Sequence, residues 1–124
     1  MAMKWSKAPA EVSEAFDAAL PGDALVQRRQ MFGYPAAFVN GNMFAGVWQS
    51  HIVLRLPEPK RAEIIETAGA EPFVPMGRAM REYVIAPPAM LTDREALALW
   101  LNEAFRFGAA LPLKEAKPRR KKQG

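Results

Sequence analysis

One histidine, His51, and no cysteine in 124 residues set the limits of what this chain can do chemically. Nucleophile triads and most transition-metal sites draw on His or Cys, so no catalytic or metal-ligating set is expected. His51 stands beside a turn in a strand-like segment. It reads as a hairpin-end residue, the functional alternative being proton transfer or ligation. Glu63 and Glu66 share a helix face at the i, i+3 spacing that suits acid–base work, yet Lys60 lies one turn earlier and the three read as a solvated charged face. Asp93 and Glu103 are explained by a helix start and an outer surface. No cofactor and no enzymatic activity are expected.

Two other groups of residues could bind rather than react. Gly77-Arg78-Ala79-Met80-Arg81 leads into a strand and could grip an anion through two guanidinium forks and free loop N–H groups. Arg78 and Arg81, with Arg28 or its neighbour Arg29, form the first-choice anion site; a loop glycine with structural arginines is the plainer alternative. Near the C-terminus, Lys114, Lys117, Arg119, Arg120, Lys121 and Lys122 attract any polyanion by counterion release, which makes them the candidate nucleic-acid contacts.

These six cations against the single anion Glu115 leave eleven cations against twelve anions in residues 1–113. The basicity therefore belongs to a tail. Residues 114–124, polar and broken by Pro118, bury too little apolar area to offset their ordering entropy, so disorder is expected there. Residues 1–113 have the length of one domain with its own core. The lack of cysteine suits a cytoplasmic protein, and neither a secretory signal nor an apolar run of about 18 residues is present. No membrane contact is expected.

The elements that must position these residues can be read from periodicity. Val12, Phe16 and Leu20 follow Pro9 at helical spacing until Pro21-Gly22. Val26 to Phe32 is extended, placing Arg28 and Arg29 on opposite faces. In MFGYPAAFVNGNMFAGVW, Asn40-Gly41 lies between apolar flanks and accepts the positive φ of a type I′ hairpin turn. The Met-Phe pairs on either side are then two strands burying large side chains. Met31, Phe32, Phe38, Met43, Phe44 and Trp48 are expected in the core rather than on a base-stacking platform, which would need more surrounding cations. His51-Ile-Val-Leu-Arg-Leu56 alternates faces, with Ile52, Leu54 and Leu56 inward. Pro59 opens a helix lined by Ala62, Ile65 and Ala68 and ended by Gly69, residues 70–79 form a loop, and residues 81–86 a strand. Thr92 and Glu95 stand in capping-box spacing before a helix carrying Leu97, Trp100, Leu101, Ala104 and Phe105, with Gly108 interrupting it. The order α-β-β-β(-β)-α-β-α predicts an α+β fold, an antiparallel meander with helices on one face.

The segments Met31-Phe32-Gly33, Phe38 to Ala45, Ile52 to Leu56, Glu71-Pro72-Phe73 and Met80 to Val84 together resemble the TfoX N-terminal-domain family, small bacterial α+β domains first named from regulators of DNA-transformation competence. The resemblance covers roughly residues 10–111. It implies the architecture just described, no catalytic motif, and regulation through protein contacts near DNA. Competence regulators with this domain carry a further C-terminal domain, for which no room is expected after Leu113. The expected function is a non-enzymatic regulatory or protein-interaction domain with an unidentified partner. The alternatives are nucleic-acid association through the tail and binding of a small molecule or anion, the small-molecule pocket being expected between sheet and helices with Arg78, Arg81 or Tyr83 at its rim. Strand edges that could pair across a two-fold axis make a homodimer a further expectation.

Overall fold

Alternating strand residues and helix stripes give this chain two apolar surfaces to bury against each other. The computed structural model describes residues 9–31 and 33–112. Phe32 and the six basic tail positions from Lys114 to Lys122 lie outside the described residues. The elements are α1 (Ala10–Ala19), β1 (Gln27–Met31), β2 (Tyr34–Val39), β3 (Asn42–Trp48), β4 (His51–Arg55), α2 (Glu58–Ala68), β5 (Glu71–Pro72), β6 (Tyr83–Ile85) and α3 (Arg94–Ala110).

The fold is α+β, as expected. Among the described residues six strands form one sheet in the order β1-β2-β3-β4-β6-β5, with every neighbouring pair antiparallel. The first four strands are a meander. α2 then carries the chain past the position of β6 to β5, and β6 returns between β5 and β4. Asn40 (φ 52) and Gly41 (φ 78) turn the β2–β3 hairpin in the left-handed conformation the sequence called for.

α1 and α3 cover one sheet face. α1 buries Val12, Ala15, Phe16 and Ala19, and α3 buries Leu97, Trp100, Leu101, Ala104 and Gly108. Opposite them the sheet presents Ala37, Val39, Phe44, Leu54 and Leu56, all within one core cluster. Burying a side chain such as Phe16, Leu54 or Leu101 in full contributes roughly 1.5–3 kcal/mol.

Four local expectations are corrected. The N-cap of α3 is Asp93, whose Oδ1 accepts from the Ala96 amide at 3.2 Å. The Thr92 hydroxyl instead donates to the Ala89 carbonyl in the preceding 3-10 turn, Pro88–Leu91, which delays the helix by one residue. Gly108 does not interrupt α3. A Cβ there would stand 2.9 Å from Val39 Cγ1 and 3.1 Å from Phe44 Cβ, so glycine lets helix and sheet approach closely. In α2 the buried residue is Ile64, whereas Ala62 and Ile65 are exposed and Ala68 is half-buried. Gly69 ends this helix with φ 80, as its sequence position implied.

The fourth correction concerns the meander's large side chains. Phe44 alone of the expected set, among the described residues, is fully buried; Phe38, Met43 and Trp48 are half-buried and Met31 is 38% exposed. A β-bulge sets the facing of the β3 residues. Pairing steps from Ala37↔Ala45 to Phe38↔Met43, leaving Phe44 as the extra residue. Phe44 and Ala45 therefore both face the helices, while Met43 and Gly46 face the other side.

Candidate functional site

Among the described residues no α-helix covers the second sheet face. It carries Ala36, Gly46 and Val53, paired across strands as Ala36↔Gly46 and Gly46↔Val53. Two of these three are very small, so the sheet surface is recessed there. Above it runs the segment between β5 and β6, residues 73–82, which forms a strap. The strap is tied at its base, with the Phe73 amide donating to the Tyr83 carbonyl at 3.2 Å and the Met80 amide to the Phe73 carbonyl at 2.9 Å. A 3-10 turn, Pro75–Gly77, and the positive φ of Gly77 (80) reverse its tip.

Between strap and sheet lies an apolar cavity of about 510 Å³. Its floor is Ala36, Gly46 and Val53, its walls include Met43, Trp48 and Phe73, and Met31, Met80 and Arg78 stand toward its rim. The walls are held by a run of rings: Tyr34 to Trp48 at 5.7 Å, Trp48 to Phe73 at 5.9 Å, and Phe73 to Tyr83 at 6.5 Å between centroids. Met43 reaches across the floor, its Cε 3.1 Å from where a Gly46 Cβ would stand.

One corner of this face is polar and self-contained. Arg55 pairs with Glu82 at 2.7 Å and lies over the Tyr83 ring, and the Tyr83 hydroxyl donates to the Met43 carbonyl at 3.2 Å. Burial, reinforced by the Glu82 charge and partly offset by Arg55, holds the Tyr83 phenol above its ordinary pKa. This corner ties β3, β4 and β6 together through one carbonyl.

Of the three arginines singled out by sequence, Arg28 and Arg78 lie on opposite sides of the sheet. Arg28 points to the helix side and forms a two-pronged pair with Asp17 of α1, at 2.6 and 2.9 Å. That hydrogen bond raises the Arg28 pKa. Arg29 points the other way and lies over the Phe38 ring, 4.9 Å from its centroid. Arg78 lines the cavity. Arg81 is exposed in the turn before β6.

His51 is half-buried and lines a smaller cavity of about 250 Å³ with Glu11, Ser50 and Pro87. Lys60 pairs with Glu63 at 3.5 Å on the exposed side of α2, as a solvated face requires. Among the described residues no group of three or more His, Cys, Asp or Glu could hold a metal ion, and no helix is long and apolar enough to cross a membrane.

The expected pocket between sheet and helices is corrected: the cavity that Arg78 lines is on the other sheet face, a placement the sequence did not reveal because the lining comes from β1, β2, β3, β4 and the strap. The one available signal was the alternation of small and large residues in Ala36, Met43, Gly46 and Trp48. Buried Asn42 was missed as well; its side-chain amide donates to the carbonyls of Gly108 at 3.3 Å and Pro112 at 3.1 Å.

The family model described as TfoX N-terminal domain matches residues 7–108. No curated protein and no solved structure matches the chain.

Proposed function

Because the chain belongs to the TfoX N-terminal domain family, we propose that it is a non-enzymatic regulatory domain that works by binding another protein, with β1 as its docking strand. The carrying observation is the state of that strand. All five residues of Gln27–Met31 are exposed, and among the described residues β1 is hydrogen-bonded to β2 along one side alone. An edge of this kind presents a row of unpaired N–H and C=O groups onto which an extended segment of a partner can add as a further strand. The family supports a regulatory or interaction role, and the cytoplasm is the compartment this reading requires.

Proline scanning of the edge tests it. Adjacent amides of an edge strand alternate between facing the sheet and facing out, so Arg29→Pro and Gln30→Pro differ in which kind they remove. The variant that unfolds at the wild-type temperature has lost an outward amide. It should fail to retain proteins that the wild-type chain captures from lysate of its source organism. Capture at the wild-type level by that variant would end the docking-strand reading.

The six cations of the tail favour a second reading, association with nucleic acid. Duplex DNA should then bind with a slope of log K against log salt no steeper than about −5. Binding should vanish in a chain ended at Leu113. Equal binding by the shortened chain would exclude the tail as the contact.

A further inference from the structure

We propose that the cavity beneath the strap is a binding site for an amphipathic monocarboxylate, with its apolar body against Trp48, Phe73 and Met43 and its carboxylate on Arg78. Size comes first. A volume of about 510 Å³ lies inside the range of roughly 300–1,000 Å³ in which small-molecule sites ordinarily fall. The helix side of the same sheet is filled by Phe44, Leu54 and Leu101, each with no solvent exposure, so the space under the strap is not general looseness of packing.

The lining then sets the chemistry. Floor and walls are aliphatic, aromatic or thioether groups, and methionines such as Met43 and Met31 adapt their shape to an occupant. An apolar body is favoured there. Among the described residues Arg78 is the one charged residue of the lining. Among the described residues its guanidinium makes no hydrogen bond or ion pair, its backbone amide alone donating to the Pro75 carbonyl, whereas Arg55 is committed to Glu82 and Arg28 to Asp17. Arg78 is exposed at the rim of this apolar cavity, and a guanidinium fork matches a carboxylate in geometry and charge. One unpaired fork calls for one anionic head. The strap, held at its base by the Phe73–Met80 and Phe73–Tyr83 backbone bonds, leaves the rim open beside Ala79 and Arg78 for entry. The site shares Met31 with β1 but uses none of that strand's outward backbone groups, and the inference stands without the docking-strand reading.

Calorimetric titration of the full chain with decanoate, below its micelle concentration, tests the inference against decylammonium, which has the same chain and the opposite head charge. Decanoate should bind saturably at one site and quench Trp48 emission, a signal absent from a Trp48→Phe variant. Arg78→Gln should weaken decanoate binding about fivefold and leave decylammonium unaffected. Ala79→Trp, at an exposed strap position, should fill the cavity from its rim and abolish binding with the fold intact by circular dichroism. Equal affinity for the two head groups, undiminished binding in Arg78→Gln, or absence of saturable binding up to millimolar decanoate would overturn the proposal. So would a second copy of the chain covering this face, detected as a dimer that Ala79→Trp disrupts.

Discussion

The side-chain amide of Asn42 donates to the Gly108 carbonyl at 3.3 Å, so the first residue of β3 holds the end of the longest helix. The same amide reaches the Pro112 carbonyl, and Asn40 across the turn donates to the Ala109 carbonyl at 3.5 Å. The hairpin turn thus doubles as a C-terminal cap for α3, satisfying carbonyls that a helix end leaves without partners.

Removing that cap should be costly. Asn42→Ala is expected to lower stability by about 1–3 kcal/mol, the range for leaving buried polar groups unsatisfied. Asn42→Asp keeps the shape but turns a donor into an acceptor facing carbonyl oxygens, and should cost at least as much. Urea denaturation of both variants checks this; an unchanged midpoint for Asn42→Ala would refute the capping role.

Gly108 should tolerate no side chain. Alanine normally favours a helix over glycine by about 1 kcal/mol, but the added Cβ would meet Val39 Cγ1 at 2.9 Å. Overpacking of this kind typically costs about 1–3 kcal/mol, so Gly108→Ala should destabilise on balance. Val39→Ala in the same chain should return part of the loss, which a double-mutant cycle measures.

Two neighbouring isoleucines in α2 should behave differently. Ile64 is fully buried and Ile65 is 38% exposed. Ile64→Ala is expected to cost about 2–5 kcal/mol, and Ile65→Ala under about 1 kcal/mol. Similar thermal unfolding for the two variants would mean that α2 packs on another face.

Tyr83 gives a pH signature. Its phenol is held above the ordinary tyrosine value, chiefly by burial, so the folded state keeps the proton more tightly than the unfolded chain. The associated stability is complete below the unfolded pKa near 10 and is lost as pH rises through the folded pKa. Stability should therefore fall above about pH 10 in the wild-type chain, and fall less in Tyr83→Phe. Phenylalanine also loses the hydrogen bond to the Met43 carbonyl, so Tyr83→Phe should start lower at pH 7. Parallel slopes for both chains between pH 9 and 11.5 would count against a buried, titrating Tyr83.

The meander, its Asn40-Gly41 turn, the inward set Ile52, Leu54 and Leu56, and the stripe of α3 were legible because each is a local pattern. Residues within two to four positions of one another decide them, and hydrophobic periodicity records those positions directly. Asp93 was legible as a helix-start residue, but the capping-box spacing put the cap itself at Thr92, because the 3-10 turn that engages Thr92 leaves no periodic trace. The buried face of α2 was missed for a related reason, since Ile64 and Ile65 are alike in type and no cap or charge distinguishes their sides.

The candidate cavity belongs to the other class of feature. The residues by themselves determined an antiparallel α+β domain, a scarcity of catalytic groups and a positive charge gathered at one terminus. The three-dimensional arrangement decided which large side chains go under the helices: the bulge at Phe44 sends it and Ala45 to one face and Met43 to the other. It also parted Arg28 from Arg78, through an ion pair with Asp17 on the helix side and a strap on the opposite side. Periodicity carries the first kind of information because it depends on neighbours along the chain. Register, and a strap folded over a distant sheet, depend on contacts across tens of residues that no local spacing encodes.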